Sequence, residues 1–332
     1  MTRRPRLDEP GARHHVVNRG VAKRAFFDGA RDMRYFQSRI ARSARRGEIK
    51  VHAFTLAINH FHMFVESVTG DLSTAMRRIQ SEYVRWFNRK NRRDGPLVKT
   101  RFWSKRVDSE AYRHILLRYI DGNAVVAKLA TSCAQYPFGS AHHYCRSDGP
   151  IWLTRTLVER EMCTLAGISD YDPSLYSRVF GDTLSPGQRR LVEQRLWRAD
   201  SDDDPLDDLV GAESSRVREW MERRAMVADG RPGLPVADVD SVLAVVGANS
   251  ASEWPVRLGR KRVSGWDILR TALLRDLAGL SYQEISRRVF CHPSTVRCRY
   301  DKHARGLRED PEYATRILEL TRACLERCRG EC

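Results

Sequence analysis

The stretch Ala53-Phe54-Thr55-Leu56-Ala57-Ile58-Asn59-His60-Phe61-His62-Met63-Phe64-Val65 decides how this chain is read. It is apolar enough to supply buried strands, over 49–57 and 59–66, yet it places two imidazoles around Phe61. Successive side chains on a strand alternate faces, so His60 and His62 project from the same side with tips close enough to share one metal ion. Two hydrogen-bonded core histidines would produce the same pattern, and a metal reading needs partners from elsewhere in the chain.

Working outward, residues 13–20 read as a first strand with Val16 and Val17 as its apolar part. Asp28 is placed to cap a helix running to about Arg46, with Met33, Phe36 and Ile40 at helical spacing and Gly47 as its stop. After the histidine strands, Asp71-Leu72-Ser73-Thr74 opens a helix whose stripe is Leu72, Met76, Ile79, Tyr83 and Phe87. A basic turn over 91–96 leads to a strand at 101–107, and Ser109 starts a helix holding Tyr112, Ile115, Leu116, Tyr119 and Ile120. Strand, helix, strand, strand, helix order in about 120 residues predicts a compact α+β domain, over residues 1–150. Residues 151–235 read as a helical, acidic connecting region with linkers at 201–208 and 229–235. Residues 236–332 read as a helical C-terminal domain.

The charge is unevenly placed. Against 58 Lys and Arg stand 42 Asp and Glu, a net +16, which divides into +16 over 1–150, −7 over 151–254 and +7 over 255–332. Arginine dominates both basic blocks, which suits bidentate phosphate contacts and points to nucleic acid. No run of 18 apolar residues and no apolar segment after the Arg-rich N-terminus is present, so the expectation is a cytoplasmic, nucleoid-associated protein without a membrane partner. The eight cysteines are scattered, which reads as reduced thiols. Cys324, Cys328 and Cys332 recur on one helical face, and a zinc site with Cys291 or His292 is the weaker alternative.

The 109-onward helix sets Tyr119 and Asn123 four residues apart, on one face. A phenol and a carboxamide at that spacing suit metal-assisted phosphoryl transfer, with Tyr119 as nucleophile and Asn123 as a third ligand beside His60 and His62. Aromatic residues at helical spacing also serve as core, so the pair gains meaning only with the histidines.

Six short motifs in order carry a resemblance: His14-His15-Val16-Val17-Asn18-Arg19-Gly20, Phe26-Phe27-Asp28, Asn59-His60-Phe61-His62, Arg101-Phe102-Trp103-Ser104, Tyr119-Ile120-Asp121-Gly122-Asn123 and Tyr136-Pro137-Phe138-Gly139-Ser140. Over roughly residues 12–145 the chain resembles the single-tyrosine HUH transposases, IS200-like, and among them the REP-associated tyrosine transposases. The chain departs from the common pattern at Ala57-Ile58, Asn123-Ala124 and Thr100, positions that shape loops. The resemblance implies a ferredoxin-like HUH domain, an antiparallel sheet with packed helices, whose central strand holds the two histidines. It also implies Mg²⁺ or Mn²⁺ at His60, His62 and Asn123, and attack by Tyr119 on single-stranded DNA beside hairpins. The product would be a 5′-phosphotyrosine with a free 3′-hydroxyl. By charge and analogy, Arg77, Arg78, Arg85, Arg89, Arg92 and Arg101 are expected to hold DNA backbone.

Near the C-terminus, Leu280 to Val289 followed by Cys291 to Arg297 reads as helix, tight turn, helix, within a helix-turn-helix over about 265–305. Ser294 is the expected cap, and Arg297 and Arg299 are the expected duplex DNA contacts; the module resembles those of replication initiators. The leading expectation is thus a transposase, a metal-dependent DNA strand-transferase that nicks and rejoins single strands at hairpin repeats, as monomer or homodimer. The alternatives are a non-catalytic, domesticated DNA-binding protein acting on repeats and a metal-dependent nuclease that uses water.

Overall fold

The computed structural model describes residues 8–98, 100–108, 110–146, 148–181, 183–197, 209, 213–226, 232–233, 235–257 and 262–329. The chain divides into two compact units, Met1–Leu184 and Ser185–Cys332.

In the first unit the order is β1 (Ala12–Arg19), α1 (Ala30–Arg45), β2 (Ile49–Ala57), β3 (His60–Ser67), α2 (Leu72–Lys90), β4 (Trp103–Arg106) and α3 (Glu110–Val126). The strands form one sheet in the order β2-β3-β1-β4, every neighbour antiparallel. A βαββαβ chain with that strand order is the ferredoxin-like arrangement that the resemblance implied. The short helices α4 (Ser140–Tyr144), α5 (Thr156–Ala166) and α6 (Pro173–Phe180) complete the unit.

Alternation on the strands divides the sheet into two unlike faces. Phe61 points to one side, where Phe26, Phe27, Phe36 and Tyr83 join it in a ring cluster with centroids 4.7 to 5.7 Å apart. The apolar stripes of α1 and α2 build that layer, since Phe36 lies on α1 and Tyr83 and Phe87 on α2. The opposite face carries His60, His62 and Thr55 and is covered by α3, whose Ile120 carbonyl accepts a 2.7 Å hydrogen bond from Thr55 Oγ1.

Helix ends follow local chemistry, with two shifts from expectation. Asp71 caps α2 by accepting from Thr74 N, and Gly47, at φ 69°, follows α1 in the left-handed conformation that favours glycine. The N-cap of α1 is Gly29 and not Asp28, because the buried Asp32 carboxylate accepts from the Asp28 amide. The Ser109 cap lies outside the described residues.

The second unit is mainly helical: α7 (Pro186–Trp197), α8 (Ser214–Met226), α9 (Val239–Asn249), a small hairpin of β5 (Pro255–Arg257) and β6 (Arg262–Ser264), then α10 (Gly265–Asp276), α11 (Tyr282–Arg288), α12 (Pro293–Glu309) and α13 (Pro311–Arg329). The two helices expected over 280–297 are α11 and the start of α12, and α11 opens on a reciprocal capping box between Ser281 and Glu284. The cap of α12 is His292, whose ring accepts from Ser294 N, so Ser294 falls inside the helix after Pro293. Cys324 and Cys328 are buried on α13 with their thiols pushed up to about 12 by burial, which keeps them protonated; Cys332 lies outside the described residues. The 201–208 linker also lies outside them, as does most of 229–235. Among the described residues no helix is long and apolar enough to cross a membrane.

Candidate nucleic-acid cleavage site

The turn between β2 and β3 fixes the first histidine. Backbone amides of Phe26 and Phe27 both donate to the Ile58 carbonyl, at 2.8 and 2.9 Å, and Gly20 N donates to Asn59 O at 2.8 Å. Two of the sequence motifs therefore clamp the turn that precedes His60. Gly20 is required by close approach, since a Cβ there would sit 2.1 Å from the Arg24 carbonyl oxygen.

His60, His62 and Tyr119 come together on the α3 face. The His60 and His62 rings are 5.0 Å apart at 82°, and the His62 and Tyr119 rings are 5.2 Å apart at 89°. His62, Tyr119 and Asn123 are 4, 3 and 4% exposed, so His60, half-buried at the start of β3, forms the open side. Asn123 Nδ2 donates 2.7 Å to the Tyr119 carbonyl, one turn back on α3, which orients the amide beside the tyrosine. Asp121, on the same helix, is buried and accepts from Ser140 Oγ at 3.0 Å and Tyr176 OH at 2.8 Å; burial pushes its carboxyl up to about 7 against those hydrogen bonds. These contacts tie the tyrosine helix to the chain that follows it.

Among the described residues no group of three or more His, Cys, Asp and Glu could hold a metal ion. The candidate donor set is a different one, two imidazoles and an amide oxygen. Each imidazole has Nδ1 engaged, His60 with Asn59 Oδ1 at 2.6 Å and His62 with His15 Nε2 at 3.0 Å. Engaged Nδ1 atoms are what histidines ligating through Nε2 require, so the residues fit a divalent ion. Without a carboxylate, the set would hold it weakly and leave positions for phosphate oxygens and water.

His15 is a site residue that the sequence reading used only as part of a motif. It is fully buried on β1, and burial pushes its ring down to about 3, which keeps it neutral. Strand register puts Arg19 opposite His60 and Lys105 opposite His15, hence on this same face. Alternation along β1 is a signal for His15 and Arg19 once the β1–β3 pairing is known, and Lys105 follows from the β1–β4 pairing.

The arginines divide. Arg77, Arg85, Arg89, Arg92 and Arg101 are exposed, but α2 packs on the Phe61 face, so its arginines lie across the sheet from Tyr119. Arg78 pairs with Glu48, and Arg299 donates to Asp267 at 2.6 Å, so both make contacts within the fold. Arg297 is exposed on α12.

Residues 10–123 match the family model described as "Transposase IS200 like", a span that starts just before β1 and closes on Asn123. No curated protein matches the chain. A solved structure, "Structure of the REP associates tyrosine transposase bound to a REP hairpin", is similar at 20% identity over 46% of this chain and 92% of that one, with a TM-score of 0.37. The matched span holds the histidine strand, the tyrosine helix and the turn that clamps them, so over residues 10–123 the chain is similar to the IS200-like transposases.

Proposed function

We propose that the first unit nicks and rejoins single-stranded DNA at hairpin repeats through a tyrosine adduct. The observation that carries this is the convergence of His60, His62 and Tyr119, with His62 and Tyr119 rings 5.2 Å apart although they come from different elements. The Tyr119 phenolic oxygen attacks phosphorus, the bond from phosphorus to the 3′-oxygen breaks, and the phenolic proton leaves to solvent while the departing 3′-oxygen takes one up. The outcome is a 5′-phosphotyrosine and a free 3′-hydroxyl, and the reverse attack rejoins the strand. A Mg²⁺ or Mn²⁺ ion held by His60, His62 and Asn123 would supply charge stabilisation at the phosphate oxygens. Imidazole donors favour Mn²⁺ within that pair.

The residues around the site divide the remaining work. Asn59 orients His60, Thr55 holds α3 against the sheet, Asp121 ties α3 to the chain that follows it, and burial of Tyr119 limits water as a competing nucleophile. A labelled oligonucleotide bearing a hairpin and a single-stranded flank, incubated with Mn²⁺ and run on a denaturing gel, should shift to a covalent protein adduct. Tyr119→Phe should remove the adduct and leave binding intact; an adduct surviving that substitution would show the nucleophile to be misassigned, and cleavage without adduct would favour a water-using nuclease.

Duplex DNA is the proposed partner of the second unit, through α11 and α12. Ser294, Thr295 and Arg297 are exposed at the start of α12, where a recognition helix meets base edges. Arg297→Ala should weaken duplex binding and lower the slope of log K against log salt by about 1 if the contact is to phosphate. An unchanged affinity and slope would remove Arg297 from the interface.

A further inference from the structure

We infer that His15 is a positioning residue for the His62 imidazole, holding its Nε2 toward the ion; the inference rests on the metal reading of His60 and His62. Three contacts place it. His15 Nε2 lies 3.0 Å from His62 Nδ1, the two rings stack at 5.2 Å and 28°, and the His15 ring meets Tyr119 edge-on at 5.9 Å and 74°. One fully buried side chain on β1 thus touches both a nominated ligand on β3 and the nominated nucleophile on α3.

The hydrogen bond sets a direction. A His62 ring ligating through Nε2 keeps its one proton on Nδ1, so it donates and His15 Nε2 accepts. A neutral His15 then carries its own proton on Nδ1, an atom that is buried and without a hydrogen-bond partner among the described residues. An unpartnered buried N–H is unfavourable. Packing alone would be better served at this position by an apolar ring. Loss of an outer partner of this kind typically weakens metal affinity 10- to 100-fold, by about that factor here.

The test uses the full chain and Mn²⁺ alone, followed by calorimetric titration, with folding checked by thermal melting. His62→Ala should abolish binding. His15→Phe keeps a ring but no hydrogen bond and should bind about 10- to 100-fold more weakly; His15→Gln, whose amide can reach His62 Nδ1, should recover most of the affinity. Wild-type affinity in His15→Phe, or equal weakness in His15→Gln, would overturn the inference while a silent His62→Ala would overturn the metal reading beneath it. Should His15→Phe fail to fold, ¹⁵N NMR of the wild-type protein with Mg²⁺ decides: the inference requires His15 protonated on Nδ1, and a proton found on His15 Nε2 overturns it.

Discussion

The two faces of the first sheet are built from the same strands, residue by residue, yet they do different work. Phe61 turns into a cluster of five aromatic rings, while its neighbours His60 and His62 turn to a face where imidazoles, a phenol and an amide are packed together. The aromatic face gains from burying apolar area, which is non-directional and tolerant of small shifts. The histidine face relies on oriented hydrogen bonds in a site where a buried polar group without a partner is costly. A single strand thereby couples them: rigidity generated on one side fixes geometry on the other.

That division can be broken at three levels. The largest effect is expected from Tyr119→Phe, which should eliminate the covalent DNA adduct while shifting the urea midpoint little; a large loss of stability would mean that the polar face also carries the fold. Phe61→Ala is the reverse experiment. Phe61 is fully buried, and its removal should cost about 3–5 kcal/mol in urea unfolding. Adduct formation per folded molecule should survive at low temperature, and a stability cost below ~1 kcal/mol would contradict the assignment of that face as the core. The smallest effect concerns pH. Burial pushes His52 from 6.5 down to about 4, against the opposing hydrogen bond that its ring donates to the Thr154 carbonyl and the charge of Glu66. The unfolded chain takes up this proton near 6.5 and the folded chain only near 4, so the contribution is complete above that window and is lost as pH falls through it. Its size is on the order of 3 kcal/mol. His52→Asn should flatten that part of the stability profile, and an unchanged acid limb would assign the effect to other groups.

Much of this was legible in the sequence because it is written in short-range periodicity. The period of two around Phe61 gives the shared side of His60 and His62, and the stripe from Leu72 to Phe87 gives α2 its buried face. What was not legible depends on the sidedness of packing. Nothing local says that α2 covers the Phe61 face, so the side of the sheet on which Arg77, Arg85 and Arg89 lie could not be read from the sequence. Likewise the pairing of Arg78 with Glu48 and Arg299 with Asp267 is tertiary, and arginine counts cannot separate such residues from free ones. His15 was passed over because its partner is on another strand, and only register brings it to His62. Caps slipped by one or two positions, as at Gly29 and His292, where several polar residues compete for one helix start.

The outer edge of β2 is closed by chain that comes much later. Leu56 N donates to Phe138 O, Thr154 N donates to Val51 O, and side-chain bonds to β2 come from Ser140, 86 residues from its partner, and His52 to Thr154, 102 residues apart. An unpaired strand edge is a template for pairing with other chains. A fragment ended at Asn123, where the family match stops, would carry every nominated catalytic residue and still leave that edge bare. During synthesis the same edge stays open until residue 154 has emerged, so protection of this unit against early misassembly depends on a segment that follows all the nominated catalytic residues.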